Sequence, residues 1–304
     1  MSLSLLVLGS NAAVPAVGRL PSSHLLNLND KYYLLDCGEG AQLQLRKYHI
    51  KLQRMQHVFI SHLHGDHYFG LIGLLTTMHL LGRKKSLNIY SPTGLKEIIE
   101  VQFRYSGTQL SYPVNYIEFS GEAGEVLIND ATVRITTLPM KHSIFCCGFL
   151  FEEKKKLRSV NKEALKKYKI PVKSIQSIKE GADYQDSEGN IIDNEEITSD
   201  PPETKRFAYC TDTAYNKKLV PLIKDIDMLY HEATFSADLQ NRAKETMHSS
   251  TADAARIAKE SSVKKLIAGH FSARYKETDQ LLKELRSVFP DSYIAEQGEE
   301  YKAD

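Results

Sequence analysis

Short apolar runs separated by turn residues organise the first half of the chain. Residues 4–8 are apolar nearly throughout and stop at Gly9-Ser10-Asn11, as a buried strand does. Residues 24–29 and 31–36 are β-rich and meet at Asn29-Asp30, which reads as a hairpin turn. Cys37-Gly38-Glu39-Gly40 breaks the strand, 41–48 has helical periodicity, and 56–61 is the next buried strand. A buried helix over 68–81, a strand over 87–90 and, after Pro92, a helix over 93–103 follow. Residues 115–119, 125–128, 131–138 and 146–152 read as strands. From residue 206 strands and helices alternate: strand 206–210, helix 216–224, strand 228–230, helix 236–245, and a helix to residue 260 that either Ser250 or Thr251 caps. Strand 265–268, helix 277–288 and strand 293–295 close the pattern. Strands first and alternation later predict an α/β sandwich, sheet on sheet with helices outside and a site along the edge where strands terminate.

Charge interrupts this pattern once. Residues 154–179 contain ten Lys or Arg and one acid, Glu163; residues 180–203 contain nine acids and no base. Such opposed blocks rarely belong to a core, so they describe an excursion with one short helix near 161–168, returning at Pro201-Pro202. A solvated, internally compensated loop is the plainer reading. Elsewhere composition is ordinary: 304 residues, 42% hydrophobic and 25% charged, enough for one large domain or two small ones with a real core. The net charge of +1 argues neither for nor against nucleic acid. Cys37, Cys146, Cys147 and Cys210 form no C-x-x-C and read as reduced core residues of a cytosolic protein. The start Met1-Ser2-Leu3-Ser4 has no signal-peptide pattern, and the apolar stretch 68–81 is too short to span a bilayer.

Chemistry concentrates in Ser61-His62-Leu63-His64-Gly65-Asp66-His67, directly after the apolar run Val58-Phe59-Ile60. Imidazole and carboxylate together suit zinc and its neighbours. His62 and His64, two apart, point the same way in an extended segment; Asp66 and His67 follow too closely to serve that face. The loop therefore starts two metal shells. Other strand ends supply His142, Asp212, Glu232, His248 and His270. His62, His64 and His142 complete one set, Asp66, His67 and His270 the other, and Asp212 can give one oxygen to each. Two dications, two carboxylates and a bridging hydroxide leave a positive site that attracts an anion, and paired metals suit displacement at phosphorus.

His62-x-His64-x-Asp66-His67 with His142, Asp212 and His270 resembles the metallo-β-lactamase superfamily. His231-Glu232-Ala233-Thr234, His248-Ser249-Ser250-Thr251-Ala252, Gly269-His270-Phe271-Ser272-Ala273-Arg274-Tyr275 and Asp36-Cys37-Gly38-Glu39-Gly40 narrow the resemblance to the ribonuclease Z family, tRNA 3′-processing endoribonucleases, in short form. The resemblance runs from Gly9 to Tyr275. It implies an αβ/βα sandwich of two mixed sheets over 1–304, with a protruding flexible arm inserted at 153–203 as a tRNA exosite. It also implies two zinc ions per subunit, although the same donors take manganese or iron, a cytoplasmic homodimer, and cleavage leaving a 3′-hydroxyl and a 5′-phosphate. Asp66 would orient or deprotonate the attacking water. Glu232 would hold His248 while it protonates the leaving 3′ oxygen. Arg19, Arg274 and the arm's Lys154, Lys155, Lys156 and Arg158 would contact RNA.

Two places depart from that family. Its P-x-K-x-R-N loop reads Pro15-Ala16-Val17-Gly18-Arg19-Leu20 here, so Arg19 survives while Val17 and Leu20 replace lysine and asparagine. The arm's glycine-proline element is reduced to Ile170-Pro171-Val172-Lys173. His24, His49, His57 and His79 have no partner motif and read as structural; His231 packs or supports, with a ligand role as the alternative. A small-substrate two-zinc hydrolase, such as a cyclic-nucleotide phosphodiesterase, lactamase or thioester hydrolase, needs no basic arm. An inactive RNA-binding relative would have lost a ligand, and none is lost.

Overall fold

Strands buried on both faces read as continuous apolar runs, and such runs build the first sheet. The computed structural model describes residues 3–16 and 18–303, so Met1, Ser2, Val17 and Asp304 lie outside the described residues. Strands β1 (Leu3–Gly9), β2 (Ser23–Leu28) and β3 (Lys31–Cys37) form an antiparallel meander. Its hairpin turns at Asn29 and Asp30, whose φ values of 53° and 62° are the consecutive left-handed pair of a type I′ turn. After helix α1 (Ala41–Lys47) come β4 (His57–Phe59), the single turn α2 (Gly65–Tyr68), α3 (Leu71–Leu80), β5 (Leu87–Ser91), α4 (Leu95–Ser106) and β6 (Val114–Glu118). β4, β5 and β6 join β3 in parallel. The expected helix over 68–81 is thus split at Phe69-Gly70. Gly70 N–H donates to the carbonyl of Cys37 at 2.9 Å, and a Cβ on Gly70 would stand 2.0 Å from the carbonyl oxygen of Gly38. That close approach pins the helix start against the Cys37-Gly38 turn. β7 (Val126–Asn129), β8 (Val133–Pro139) and β9 (Cys147–Glu153) then open the second sheet.

Residues Asp130–Val133 and Glu153–Thr204 form a compact unit of their own. Here the sequence expectation of an excursion with one short helix needs correction. Beside α5 (Lys162–Lys167), capped by the Asn161 side chain, the unit holds a β10 (Ser159–Val160) pairing, α6 (Ile175–Lys179), the hairpin β11 (Tyr184–Gln185) and β12 (Ile191–Ile192), α7 (Asn194–Ile197) and β13 (Thr198–Ser199), which is the partner of β10. Ala164, Ile170, Ile178, Ile192 and Ile197 are its core. Single apolar residues set between the charges suffice to build it, because each element buries one or two of them.

The remainder alternates: β14 (Arg206–Cys210), α8 (Leu219–Leu222), β15 (Met228–Glu232), α9 (Gln240–Glu245), α10 (Thr251–Glu260), β16 (Leu266–Gly269), α11 (Asp279–Val288), β17 (Ser292–Ile294) and β18 (Glu300–Lys302). The expected helix 216–224 shrinks to one turn, and 236–245 begins as a 3-10 turn at Ala237–Leu239. Ser250, not Thr251, caps α10, in a capping box with Asp253. β18, which the sequence reading lacked, pairs antiparallel with β1.

The strands assemble into two mixed seven-stranded sheets, β18-β1-β2-β3-β4-β5-β6 and β17-β16-β15-β14-β9-β8-β7. Aromatic rings fill the space between them: Phe59 of β4 meets Phe149 and Phe151 of β9 at 5.1 and 5.6 Å, and Tyr33 of β3 meets Phe151 at 5.4 Å. Apolar clusters on the outer faces receive α1, α3 and α4 on one sheet and α8, α10 and α11 on the other. The four cysteines are buried and free. Segments leaving the carboxyl ends of β4, β8, β14, β15 and β16 carry the polar residues singled out above, the edge where open α/β sheets place their ligands.

Candidate metal centre

Donor atoms from four of those strand ends converge in two groups. In the first, His62 Nε2 lies 3.1 Å from His64 Nδ1 and 3.5 Å from Asp212 Oδ2. His142 Nε2 lies 3.2 Å from His64 Nδ1 and 3.7 Å from Asp212 Oδ2. In the second, His67 Nε2 and His270 Nε2 are 3.3 Å apart, each 3.4 Å from Asp66 Oδ2, and 3.3 and 3.2 Å from Asp212 Oδ1. A tetrahedral shell with bonds of 2.0–2.1 Å has edges of about 3.3–3.4 Å, so both groups match the size of a first-row metal shell. Asp212 turns one oxygen to each group. The structure thus brings His62, His64, His142 and Asp212 together, and Asp66, His67 and His270 together; His64 turns Nδ1 to its group while the other four imidazoles turn Nε2, a detail beyond sequence reasoning.

The remaining ring nitrogens are fixed. His67 Nδ1 donates to Asp36 Oδ2 at 2.7 Å, His62 Nδ1 pairs with Ser61 Oγ at 2.9 Å, His142 Nδ1 donates to the Met247 carbonyl at 3.1 Å, and His270 Nδ1 pairs with Thr234 Oγ1 at 3.0 Å. Such partners set tautomer and ring orientation. Asp36 does most of this. It is fully buried and accepts from Ser61 N, Ser61 Oγ and Tyr209 Oη as well as from His67. The sequence reading noted Asp36 only as part of a matching motif; its signal was a carboxylate at the end of an apolar strand. Met247, φ 58°, ends α9 in the left-handed conformation and thereby aims its carbonyl at His142.

Electrostatics suit ligation, which requires neutral imidazoles and ionised carboxylates. Burial holds His64 and His142 below the usual histidine range and, with the His67 charge, takes His62 to about 4. Burial alone would raise Asp66 and Asp212, but the surrounding imidazoles pull both well below the usual carboxylate range. Burial opposes a charge on His67 too, yet Asp212, Asp36 and Asp66 outweigh it and raise His67 far above its ordinary value. Three carboxylates around one imidazole make a strong demand for positive charge, which a dication meets.

Glu232, fully buried at the end of β15, accepts from His248 Nδ1 at 2.9 Å and Thr213 N at 2.8 Å through Oε1, and from Thr234 N and Oγ1 at 3.0 and 2.8 Å through Oε2. Burial opposes both charges of the pair, but their mutual attraction wins, lowering Glu232 and lifting His248 to about 9. His248 is 5.1 Å ring to ring from His142 and 5.4 Å from His270. It also falls with Asp212 and His270 in a third group of metal-compatible spacing. His64, Asp66, Asp212, His248 and His270 line one cavity of about 630 Å³ together with Ala12, Ala13, Val14, Phe69, Phe235 and Ala273.

Of the other residues named from sequence, Arg19 donates to the Tyr275 carbonyl and Arg274 lies 5.1 Å over the Phe235 ring. Val17 is outside the described residues, but its loop reaches the centre: Ala13 N–H donates to Asp66 Oδ2 at 2.8 Å. Within the second unit Lys155 and Lys156 are exposed, Lys154 is half-buried, and Arg158 is committed to Thr198 Oγ1 and Asp200, where it ties β10 to β13. His24 is buried against Tyr230, with a pKa lowered to about 3 by that burial; His57 stacks on Tyr33, His79 accepts from Ser111 N, and His49 sits at φ 57° beyond α1. His231 turns its Nδ1 to the Glu232 carbonyl at 2.7 Å.

Two donor sets sharing a carboxylate at the strand ends of an αβ/βα sandwich define a metal-dependent hydrolase of the metallo-β-lactamase fold. The metallo-β-lactamase fold protein YhfI from Bacillus subtilis superposes with a TM-score of 0.69 at 21% identity, covering 99% of this chain and 100% of the other. The short form of human tRNase Z superposes with a TM-score of 0.70 at 26% identity, covering 99% of each chain. The family described as Anti-Pycsar protein Apyc1 matches residues 3–155, the part that carries the His62–His67 loop and His142. Relatives called Ribonuclease Z match through the later motifs as well. That of Bacteroides thetaiotaomicron is 44% identical over 292 residues, 96% of this chain and 92% of the relative, and that of Porphyromonas gingivalis is 40% identical over 97% of each. The chain belongs to the ribonuclease Z family.

Replacing Asp36 by Asn removes the charge that orients His67 directly and His62 through Ser61. Metal affinity is expected to fall about 10- to 100-fold in competition titrations against a chromophoric chelator, with an unchanged far-ultraviolet circular dichroism spectrum.

Proposed function

We propose that the protein is an endoribonuclease that removes 3′ trailers from precursor tRNA, with two zinc ions per subunit held by His62, His64, His142 and Asp212 and by Asp66, His67, His270 and Asp212. The observation that carries this reading is the Glu232–His248 pair opening onto the cavity lined by both donor sets, in a chain of the ribonuclease Z family. Metals held by these residues would supply an activated water and neutralise charge on the scissile phosphate. Everything else falls to side chains. Asp66 orients the attacking water or takes its proton. His248, kept protonated by Glu232, delivers a proton to the departing 3′ oxygen, which a poor alkoxide leaving group requires. The products are a tRNA 3′-hydroxyl and a trailer with a 5′-phosphate. Both donor sets are complete, which favours a catalyst over an inactive RNA-binding relative.

In this reading Arg19 and Arg274 contact RNA at the mouth of the site, and the second unit acts as a tRNA-gripping arm. Its exposed Lys155, Lys156, Lys162 and Lys166 meet phosphates of the tRNA body. Arg158 serves that unit's own fold. The protein acts as a cytoplasmic homodimer, consistent with exposed Leu43, Leu80 and Leu81 on or just beyond the neighbouring helices α1 and α3. No helix among the described residues is long and apolar enough to cross a membrane.

Incubation with a trailer-bearing precursor tRNA and its CCA-containing equivalent, followed by end mapping, is expected to yield the mature 3′ end with a 3′-hydroxyl, and Asp66→Ala to abolish it. Wild-type rates in that variant would remove Asp66 from the site. His248→Ala is expected to slow cleavage by about 10²–10⁴-fold at full metal content by elemental analysis; loss of metal instead would make His248 a ligand. In an Asp66→Ala background, changing Lys155, Lys162 and Lys166 to Gln is expected to reduce the slope of log affinity against log salt by roughly 0.7–0.9 per lost phosphate contact.

A further inference from the structure

Phe69 belongs to the apolar stretch that predicts a buried helix, yet it is 55% exposed. It follows the turn α2 that carries Asp66 and His67, and it lines the same cavity as His64, Asp66, His248 and His270. Its backbone is held on both sides: Phe69 N–H donates to the Gly65 carbonyl at 2.9 Å, and the next amide, of Gly70, donates to Cys37. The ring is held as well. It packs so closely on Gly65 that a Cβ there would stand 2.2 Å from the ring edge, and Tyr68 meets it edge-on with centroids 5.0 Å apart. A side chain at residue 65 would displace the ring. The cavity wall beside it is also apolar, from Ala12, Ala13 and Val14, and Val14 is 63% exposed.

An exposed aromatic ring at the rim of a site that handles a phosphodiester has an obvious chemical complement. Every nucleobase has a π-face, and stacking on aromatic side chains is how unpaired nucleotides are held without sequence preference. We infer that Phe69 is a stacking platform for a nucleobase flanking the scissile phosphate, fixing the unpaired RNA strand over the metal centre. This rests on the RNA-cleaving reading above. Phe69 touches substrate but moves no proton, so its contribution is positioning of the strand, shared between binding and the orientation of the scissile bond.

The test compares Phe69→Ala, Phe69→Leu and Phe69→Trp on a precursor tRNA that the wild type cleaves, and on the same RNA lacking the base on the 5′ or the 3′ side of the scissile phosphate. Phe69→Ala and Phe69→Leu are expected to lose about 5- to 150-fold in kcat/KM, the equivalent of one base–aromatic stack, and Phe69→Trp to stay within a few-fold of wild type. Leucine preserves apolar bulk, so a loss in that variant with normal metal uptake is not a folding defect. On one of the two abasic substrates the wild type is expected to fall to the level of Phe69→Leu, which then loses nothing more. Losses that multiply on both abasic substrates, or a Trp variant as poor as Ala, overturn the stack while leaving the endonuclease reading intact. A wild type that cleaves no RNA overturns the endonuclease reading and the stack with it.

Discussion

A single buried carboxylate, Asp36, fixes the geometry on which the centre depends. It sits at the end of β3, excluded from water, and four donors converge on it: His67 Nδ1, Ser61 N, Ser61 Oγ and Tyr209 Oη. Leaving a buried carboxylate without such partners is prohibitive, so burial of Asp36 obliges the His62–His67 loop to adopt the shape that satisfies it. Through His67 directly and His62 by way of Ser61, that one charge orients a ligand in each donor set. Tyr209 extends the constraint to the other sheet, because it belongs to β14, whose end carries Asp212. The two sheets are therefore registered at the site by hydrogen bonds as well as by the aromatic layer between them.

From that registration the division of labour follows. Asp212 divides its oxygens between two groups of imidazoles whose spacing fits metal shells. Carboxylates crowd the His67 side and burial neutralises the His62, His64 and His142 side, so the centre is asymmetric in its demand for charge. Glu232 is satisfied by Thr213 and Thr234 before it meets His248. The attraction between the two lowers Glu232 and raises His248, the imidazole that lines the cavity. The left-handed Met247, next to His248 in the chain, turns its carbonyl to His142, so the segment that carries His248 also contacts the first donor set.

Much of this was legible in the sequence, and for a physical reason. Candidate donors on one strand-end loop obey local geometry: the two-residue spacing of His62 and His64 and the adjacency of Asp66 and His67 already divide them into two groups. Apolar runs and turn residues placed every strand of the two large sheets except β18, because most of these strands are buried along their length. The family resemblance carried by the later motifs then marked Glu232 and His248. By contrast, opposed charge blocks concealed a folded unit, whose few isoleucines are too sparse to register as periodicity. The split of the 68–81 helix was also hidden, since it depends on Gly70 meeting the Cys37-Gly38 turn across the fold.

The sequence by itself determined the family to which the chain belongs and named the candidate donors, because donor chemistry and short-range spacing are properties of the chain alone. Only the tertiary structure decided which nitrogen each histidine presents, that Asp36 and Met247 hold them, and that Phe69 faces the cavity rather than the core. Those depend on atoms brought together from strands as far apart as β3, β14 and β16, and no local pattern encodes such distances.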